Sequence, residues 1–293
     1  MTVTQTATSV VFDPGAEPHD PALYEPHAII KPLASPARFD EEALAAYHRD
    51  GFVAVEGVFG PAEVKTAIAA LNDLIDRKVP GHPADMLYFE SGANRDLDTM
   101  TAEARRAAVR KVFRFCKHEP RLDALSRHPN IITIVERILR GPSQMTQDMA
   151  LLKPPRLGRE KPWHQDHAYF DIALEAPIVG VWIALDEATV ENGCMHALRR
   201  WHQRGPITHF KKRDWQICDT DMLGPAQNAC VALPLKPGGA MFFSSLLPHG
   251  TPTNHSSLLR RAVQFHYARA DAPGIPAEQR MATFGSEGKN VSC

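Results

Sequence analysis

Apolar positions recur at helical spacing in the first half of the chain and at strand spacing in the second. Residues 40–50 predict a helix, with Asp40 as its N-cap and Gly51 as its C-terminal stop. Residues 51–58 read as a strand. Residues 61–77 predict a second helix, with Pro61 in its first turn and Val64, Ile68, Leu71 and Ile75 as one stripe. Residues 79–106 read as a long connection interrupted by Met86, Leu87, Tyr88 and Phe89. Such a connection serves as a lid, or docks on the core through its aromatics. Residues 129–140 predict a third helix, with Ile131, Ile132, Ile134, Val135 and Leu139 on its apolar side. Six β-type runs separated by Pro and Gly follow or overlap the rest: 149–153, 162–170, 178–185, 230–235, 240–246 and 260–268. Helices first and strands after predict an α+β, mainly β fold with an antiparallel sheet system. Residues 1–36 carry prolines and few periodic apolar positions, so they read as an extended or disordered arm. That leaves 37–293 as a single domain.

Composition narrows the function. An apolar fraction of 44% supports a large core, and a formal charge of −1 shows no bias toward nucleic acid or an anionic membrane. No apolar run approaches the ~20 residues that cross a bilayer. The N-terminus lacks the pattern of a secretory leader. Cys116, Cys194, Cys218, Cys230 and Cys293 are odd in number and include no Cys-x-x-Cys, so a cytoplasmic, reducing location is expected. Gly-x-Gly-x-x-Gly, Walker, Gly-x-Ser-x-Gly and His-Glu-x-x-His signatures are all missing. A small-molecule substrate is the expected partner, and the oligomeric state is not legible.

The candidate chemistry lies in the strand-rich half. His164 and Asp166 sit in the run Lys161-Pro162-Trp163-His164-Gln165-Asp166-His167, read as a strand, where residues i and i+2 point the same way. A third candidate ligand, His249, follows the Pro237-Gly238-Gly239 turn and an apolar run; Arg260 comes eleven positions later. Two histidines and a carboxylate on one face of a metal suit non-haem Fe(II), and an arginine can grip a carboxylate with two parallel bonds. The alternative for His164 and Asp166 is a buried hydrogen-bonded pair. A second His-x-Asp, His48 and Asp50, falls on the first helix, where i and i+2 diverge, so it reads as a polar helix end. On 260–268, alternation puts Arg260, Ala262, Gln264 and His266 on one face and Arg261, Val263, Phe265 and Tyr267 on the other. The apolar set packs against neighbouring elements in this reading, and the small and polar set, with Arg260, faces inward.

The order of Lys153-Pro154-Pro155, Trp163-His164-Gln165-Asp166, Gly180-Val181-Trp182, Glu191-Asn192-Gly193-Cys194, Pro237-Gly238-Gly239, His249-Gly250 and Arg260-Arg261-Ala262 resembles the phytanoyl-CoA dioxygenase family, from about residue 50 to about 268. The resemblance implies a double-stranded β-helix, a jelly roll with helices on one sheet. It implies a dioxygenase using Fe(II), 2-oxoglutarate and O2, with His164, Asp166 and His249 on the iron. It also implies Arg260 and Thr251 on the distal carboxylate of 2-oxoglutarate, and Trp182, Met149 and Lys111 near the co-substrate. Related iron halogenases lack the carboxylate, so Asp166 predicts hydroxylation or desaturation. Where many members have a Pro-Gly-Ser-His turn, this chain reads Leu198-Arg199-Arg200-Trp201-His202. Tyr88, Phe89, Phe170, Trp201 and His202 are candidate substrate contacts, with ordinary packing as the alternative for each. Two other readings compete: a non-catalytic jelly roll that binds metal and 2-oxoglutarate, and a Zn(II) hydrolase or isomerase, which would leave Arg260 unexplained.

Overall fold

Alternation on the strand Arg260–Arg269 separates the layers of the molecule. Val263, Phe265 and Tyr267 turn outward into a core shared with the helices, whereas Ala262 turns inward toward a second sheet. The computed structural model describes residues 11–12, 19–90 and 99–290. An eight-stranded sheet runs, in spatial order, Val11–Phe12, Leu87–Phe89, Val109–Phe113, Ser143–Lys153, Arg260–Arg269, Ile178–Ala184, Ala240–Ser244 and Phe52–Val55. A five-stranded sheet runs Ala28–Ile29, Cys230–Leu233, Met195–Leu198, His249–Thr251 and Lys161–His164. Pairing is antiparallel except at two short strands, Val11–Phe12 against Leu87–Phe89 and Ala28–Ile29 against Cys230–Leu233. Single bridges, Leu33 to Val55 and Ala188 to Leu235, connect segments that extend the two sheets.

Three apolar layers follow from this pleat. Trp182, Met241 and Phe243 of the large sheet meet Met195, Ala197 and Leu233 of the small one. On the outer face of the large sheet, Val181, Ile183 and Phe265 pack against Leu71 and Ile75 of the helix Pro61–Ile75 and Ile131 and Val135 of Pro129–Leu139. Full burial of each such side chain contributes about 1.5–3 kcal/mol. A third cluster joins Trp163 and Leu198 to Leu23, Tyr24 and Trp201. The architecture is the α+β jelly roll, open rather than sealed by a continuous seam among the described residues.

The first helix, Glu41–Asp50, begins where Asp40 accepts the Ala43 N–H at 3.0 Å and ends at Gly51, whose φ of 88° only glycine adopts cheaply. In Pro61–Ile75, Val64, Leu71 and Ile75 of the expected stripe are buried, Ile68 packs half-buried against the same core, and Ala67, Ala70 and Leu74 widen the buried face. Other expectations need correction. The connection 79–106 contains the strand Leu87–Phe89 and the helix Ala102–Arg106; residues 91–98 of it lie outside the described residues. Its apolar patch is short because that strand has only three residues. Within the arm expected over 1–36, residues 19–36 lie against the domain. Trp163 Nε1 donates to Leu23 O at 2.9 Å, Tyr24 stacks on the Trp163 ring, and Ala28–Ile29 pairs with Cys230–Leu233. The run 162–170 is a strand only to His164; turn bonds from Ala168 N to Gln165 O and Phe170 N to His167 O close a 3-10 turn, Asp166–Tyr169.

Candidate active site

Strand register brings the two candidate histidines together. His249 and His164 are direct partners across neighbouring strands of the small sheet, with ring centroids 4.3 Å apart. Each ring is fixed by its own chain: His164 Nδ1 lies 2.8 Å from Pro162 O, and His249 Nδ1 lies 2.9 Å from Leu247 O. A carbonyl only accepts, so both Nδ1 atoms carry the proton and both Nε2 lone pairs are free to ligate. Asp166 comes round to meet them although its strand has ended. Gln165 is still extended (φ −111°, ψ 127°), so the alternation from 164 to 166 survives. Gln165 is pinned there: its Nε2 donates to Gly205 O and Leu246 O, its Oε1 accepts from Ile207 N, and its backbone N–H donates to His209 Nε2 at 3.0 Å. His164 Nε2 lies 3.2 Å from Asp166 Oδ1, and His249 Nε2 lies 3.5 Å from Asp166 Oδ2.

The protonation states suit a divalent metal. Burial, with the neighbouring His249 and Lys161, pushes His164 down to about 4, and burial lowers His249 as well. Burial alone would raise the Asp166 carboxyl, but the facing His249 and His266, the latter bonded to Oδ2 through Nε2, hold it well below the usual range. Two neutral imidazoles and one carboxylate are what an Fe(II) site needs without releasing protons. Among the described residues, these three form the His/Cys/Asp/Glu group able to hold a metal ion, with ligand atoms within 4.8 Å of one another.

A pocket opens from the triad. Arg260, Trp182, Thr251, Met149 and Lys111 all line it. Arg260 is 1% exposed; burial pushes it down to about 10, which leaves it protonated at neutral pH. Its NH1 donates to Leu151 O at 3.2 Å, and its guanidinium carbon sits 5.3 Å from the Trp182 ring centroid. Arg260 Nε and Trp182 Nε1 are buried without a hydrogen-bond partner. Leaving buried donors unsatisfied costs about 1–3 kcal/mol each, so this end of the pocket is built to receive an acceptor. A dicarboxylate such as 2-oxoglutarate fits that requirement. Arg261 points away and is clamped to Asp186 by two side-chain bonds of 2.8 and 2.7 Å.

None of the five suggested substrate contacts lines this pocket. Tyr88 packs edge-on against Phe113 in a cluster with Met149, and Phe89 is buried in the helix-side core. Phe170 lies against the His266 ring behind Asp166. Trp201 packs with Leu23 and Tyr24, and His202 meets His48 O at 3.1 Å. His48 stays at its helix end, and Asp50 is engaged by Arg49, Arg199 and Arg200. Residues that sequence reasoning left without a role also border the pocket, among them Lys153, Lys161 and Gln264. Gln264 and His266 both reach Asp166; alternation from Arg260 had put them on this face, which was the available signal.

The profile of the phytanoyl-CoA dioxygenase family matches residues 47–262. A probable phytanoyl-CoA dioxygenase of Caenorhabditis elegans is 24% identical over 242 residues, 77% of this chain and 74% of that protein. EvdO2 from Micromonospora carbonacea var. aurantiaca, solved with 2-oxoglutarate, superposes with a TM-score of 0.63 at 27% identity, over 84% of this chain and 96% of that one. EctD from S. alaskensis, solved with 2-oxoglutarate and 5-hydroxyectoine, gives a TM-score of 0.64 over 94% of this chain and 88% of that one; at 21% identity that likeness is one of fold.

Proposed function

The chain belongs to the phytanoyl-CoA dioxygenase family, and from that premise we propose that it oxidises an unactivated C–H bond of a small organic metabolite, by hydroxylation or desaturation. It is an Fe(II)- and 2-oxoglutarate-dependent dioxygenase. His164, Asp166 and His249 would hold the iron, and Arg260 with Thr251 would hold the distal carboxylate of 2-oxoglutarate. Bound Fe(II), 2-oxoglutarate and O2 supply the oxidising power, the co-substrate leaving as succinate and CO2.

The protein's own part is geometric and electrostatic. The Trp182 ring lies beside the Arg260 guanidinium and helps keep it oriented. Pro162 and Leu247 carbonyls fix the ring planes of His164 and His249, so the ligand lone pairs converge without searching. Burial of all three ligands keeps bulk water from the reacting centre. The observation that carries the reading is the convergence of the buried triad and a buried, under-bonded arginine in one pocket. Asp166 supports oxygen insertion or desaturation over halogenation, since with iron bound its carboxylate would serve as the ligand that a halide would otherwise replace. The test is succinate release from 2-oxoglutarate with Fe(II), ascorbate and a panel of small metabolites. Substrate-stimulated release that His164→Ala abolishes is expected. Binding of Fe(II) and 2-oxoglutarate with no turnover on any panel member would instead support a binding protein.

A further inference from the structure

Asp166 has two carboxylate oxygens beside the ligand histidines, and distance alone does not choose between them: Oδ1 is 3.2 Å from His164 Nε2 and Oδ2 is 3.5 Å from His249 Nε2. Hydrogen bonding does choose. His266 Nε2 lies 2.7 Å from Oδ2, and Gln264 Nε2 lies 3.3 Å from the same atom. His266 Nδ1 is buried without a partner, so the proton belongs on Nε2, where it donates to the carboxylate. The Gln264 amide orients the same way, because its carbonyl turned toward Oδ2 would oppose a carboxylate.

The fold holds His266 firmly in this position. The ring is fully buried, 4.9 Å from Phe170 and 6.3 Å from Phe243 by centroids. Pairing between Arg260–Arg269 and Ser143–Lys153 slips by one residue immediately after His266, with Thr146 as the extra residue. Thr146 Oγ1 donates to His266 O at 3.2 Å. A bulge of this kind bends a ladder and re-aims side chains beside it. On the other side His266 pairs with Gly180, which has no side chain to crowd the Phe243 ring. His266 also lies beyond residues 47–262, the span shared with the family profile.

We infer that His266, assisted by Gln264, is a positioning residue that occupies Oδ2 of Asp166, so that Oδ1 alone faces the metal. A one-oxygen ligand leaves one more metal position open than a chelating carboxylate would. The inference rests on the iron reading of the triad and adds to it a reason for the carboxylate's mode of binding.

The experiment titrates Co(II) anaerobically into the metal-free protein, following visible absorption and tryptophan fluorescence, with thermal melting of each metal-free variant alongside. His266→Phe keeps an aromatic wedge but removes the donor; His266→Gln returns an N–H to the same region. The expected result for His266→Phe is Co(II) affinity weaker by about ten- to a hundred-fold and an altered absorption envelope. His266→Gln should stay close to wild type in both, and Gln264→Leu should show the same change in smaller degree. An unchanged His266→Phe titration overturns the inference, and so does a His266→Gln protein that falls as far as His266→Phe, since shape would then matter and the donor would not. If His266→Phe does not fold, a folded Gln264→Leu protein matching wild type overturns the shared role. Wild-type protein that takes up no Co(II) overturns the metal site itself and this inference with it.

Discussion

Replacing Arg260 and Arg261 one at a time separates two neighbours that the pleat sends to opposite sides. Arg260 is buried at the pocket with an unpaired Nε; Arg261 is partly exposed and closed on Asp186. A hydrogen bond to a charged group contributes roughly 1.5–3 kcal/mol. At about 1.4 kcal/mol per tenfold, losing one or two raises the 2-oxoglutarate requirement by about ten- to a thousand-fold in Arg260→Ala. Arg260→Lys should recover only part, because an ammonium is a point charge and cannot supply the planar fork. Arg261→Ala breaks a partly solvated ion pair, a loss of roughly 0.5–1 kcal/mol, or about 1–3 °C of melting temperature, with co-substrate affinity unchanged. The assay is anaerobic titration of 2-oxoglutarate into the Fe(II) protein, reading the visible charge-transfer band, so turnover does not enter. Loss of affinity in Arg261→Ala instead would refute the strand-face assignment. Small and equal losses would refute the carboxylate site.

Three further outcomes follow from the geometry. His164→Ala should abolish the anaerobic Fe(II)–2-oxoglutarate band, whereas His48→Ala, at a helix end and outside the triad, should leave it intact. Burial pushes His196 down to about 4 and His209 down to about 3, below the 6.5 of an ordinary histidine. As pH falls the unfolded chain takes up protons first, so their contribution is full above about pH 6.5 and drains away toward pH 4 and below. Melting of the metal-free protein should be flat from about pH 7 to 8 and fall below about 6.5, with a shallower fall in His196→Gln; an equally steep fall there would exclude His196 as a source. Gly180→Ala would bring its Cβ to 2.3 Å from the Phe243 ring, which stands 4.6 Å from His249. It should destabilise by about 1–3 kcal/mol and weaken Co(II) binding, and a neutral result by calorimetry would show that the ring can move aside.

Local signals carried the sequence reading a long way. The Asp40 cap, the Gly51 stop and the two-residue period through Arg260 and Phe265 are decided within a few positions, and they appear in the fold as expected. The jelly roll itself needed the family resemblance, because which strand lies beside which is a long-range matter. Leu87–Phe89 was read within a loop: three residues are too few to show a period, and their partners are Val109–Phe113, beyond an intervening helix. The strand ending at His164 was overextended, since the 3-10 turn after it keeps the apolar content of a strand in Ala168 to Phe170. In the site, residue chemistry pointed to the triad and Arg260. It could not show that His266 reaches Asp166, because an inward face contains several residues and only three-dimensional register says which one touches which.

The pairing of His249 with His164 across two strands also bears on how the protein is made. Asp166 and its partner His266 stand 100 residues apart in the chain, and His249 must wait for its own strand to close against Lys161–His164. Before that closure only His164 and Asp166 are near neighbours, too few donors to retain an ion. Pairing at such sequence separation is slow, since loop-closure entropy is lost before contacts compensate it. Metal capture should therefore come late, as a marker that the small sheet has closed. During refolding with Co(II) present, the visible absorption should rise after tryptophan burial is complete, and added metal should leave the rate of that earlier phase unchanged.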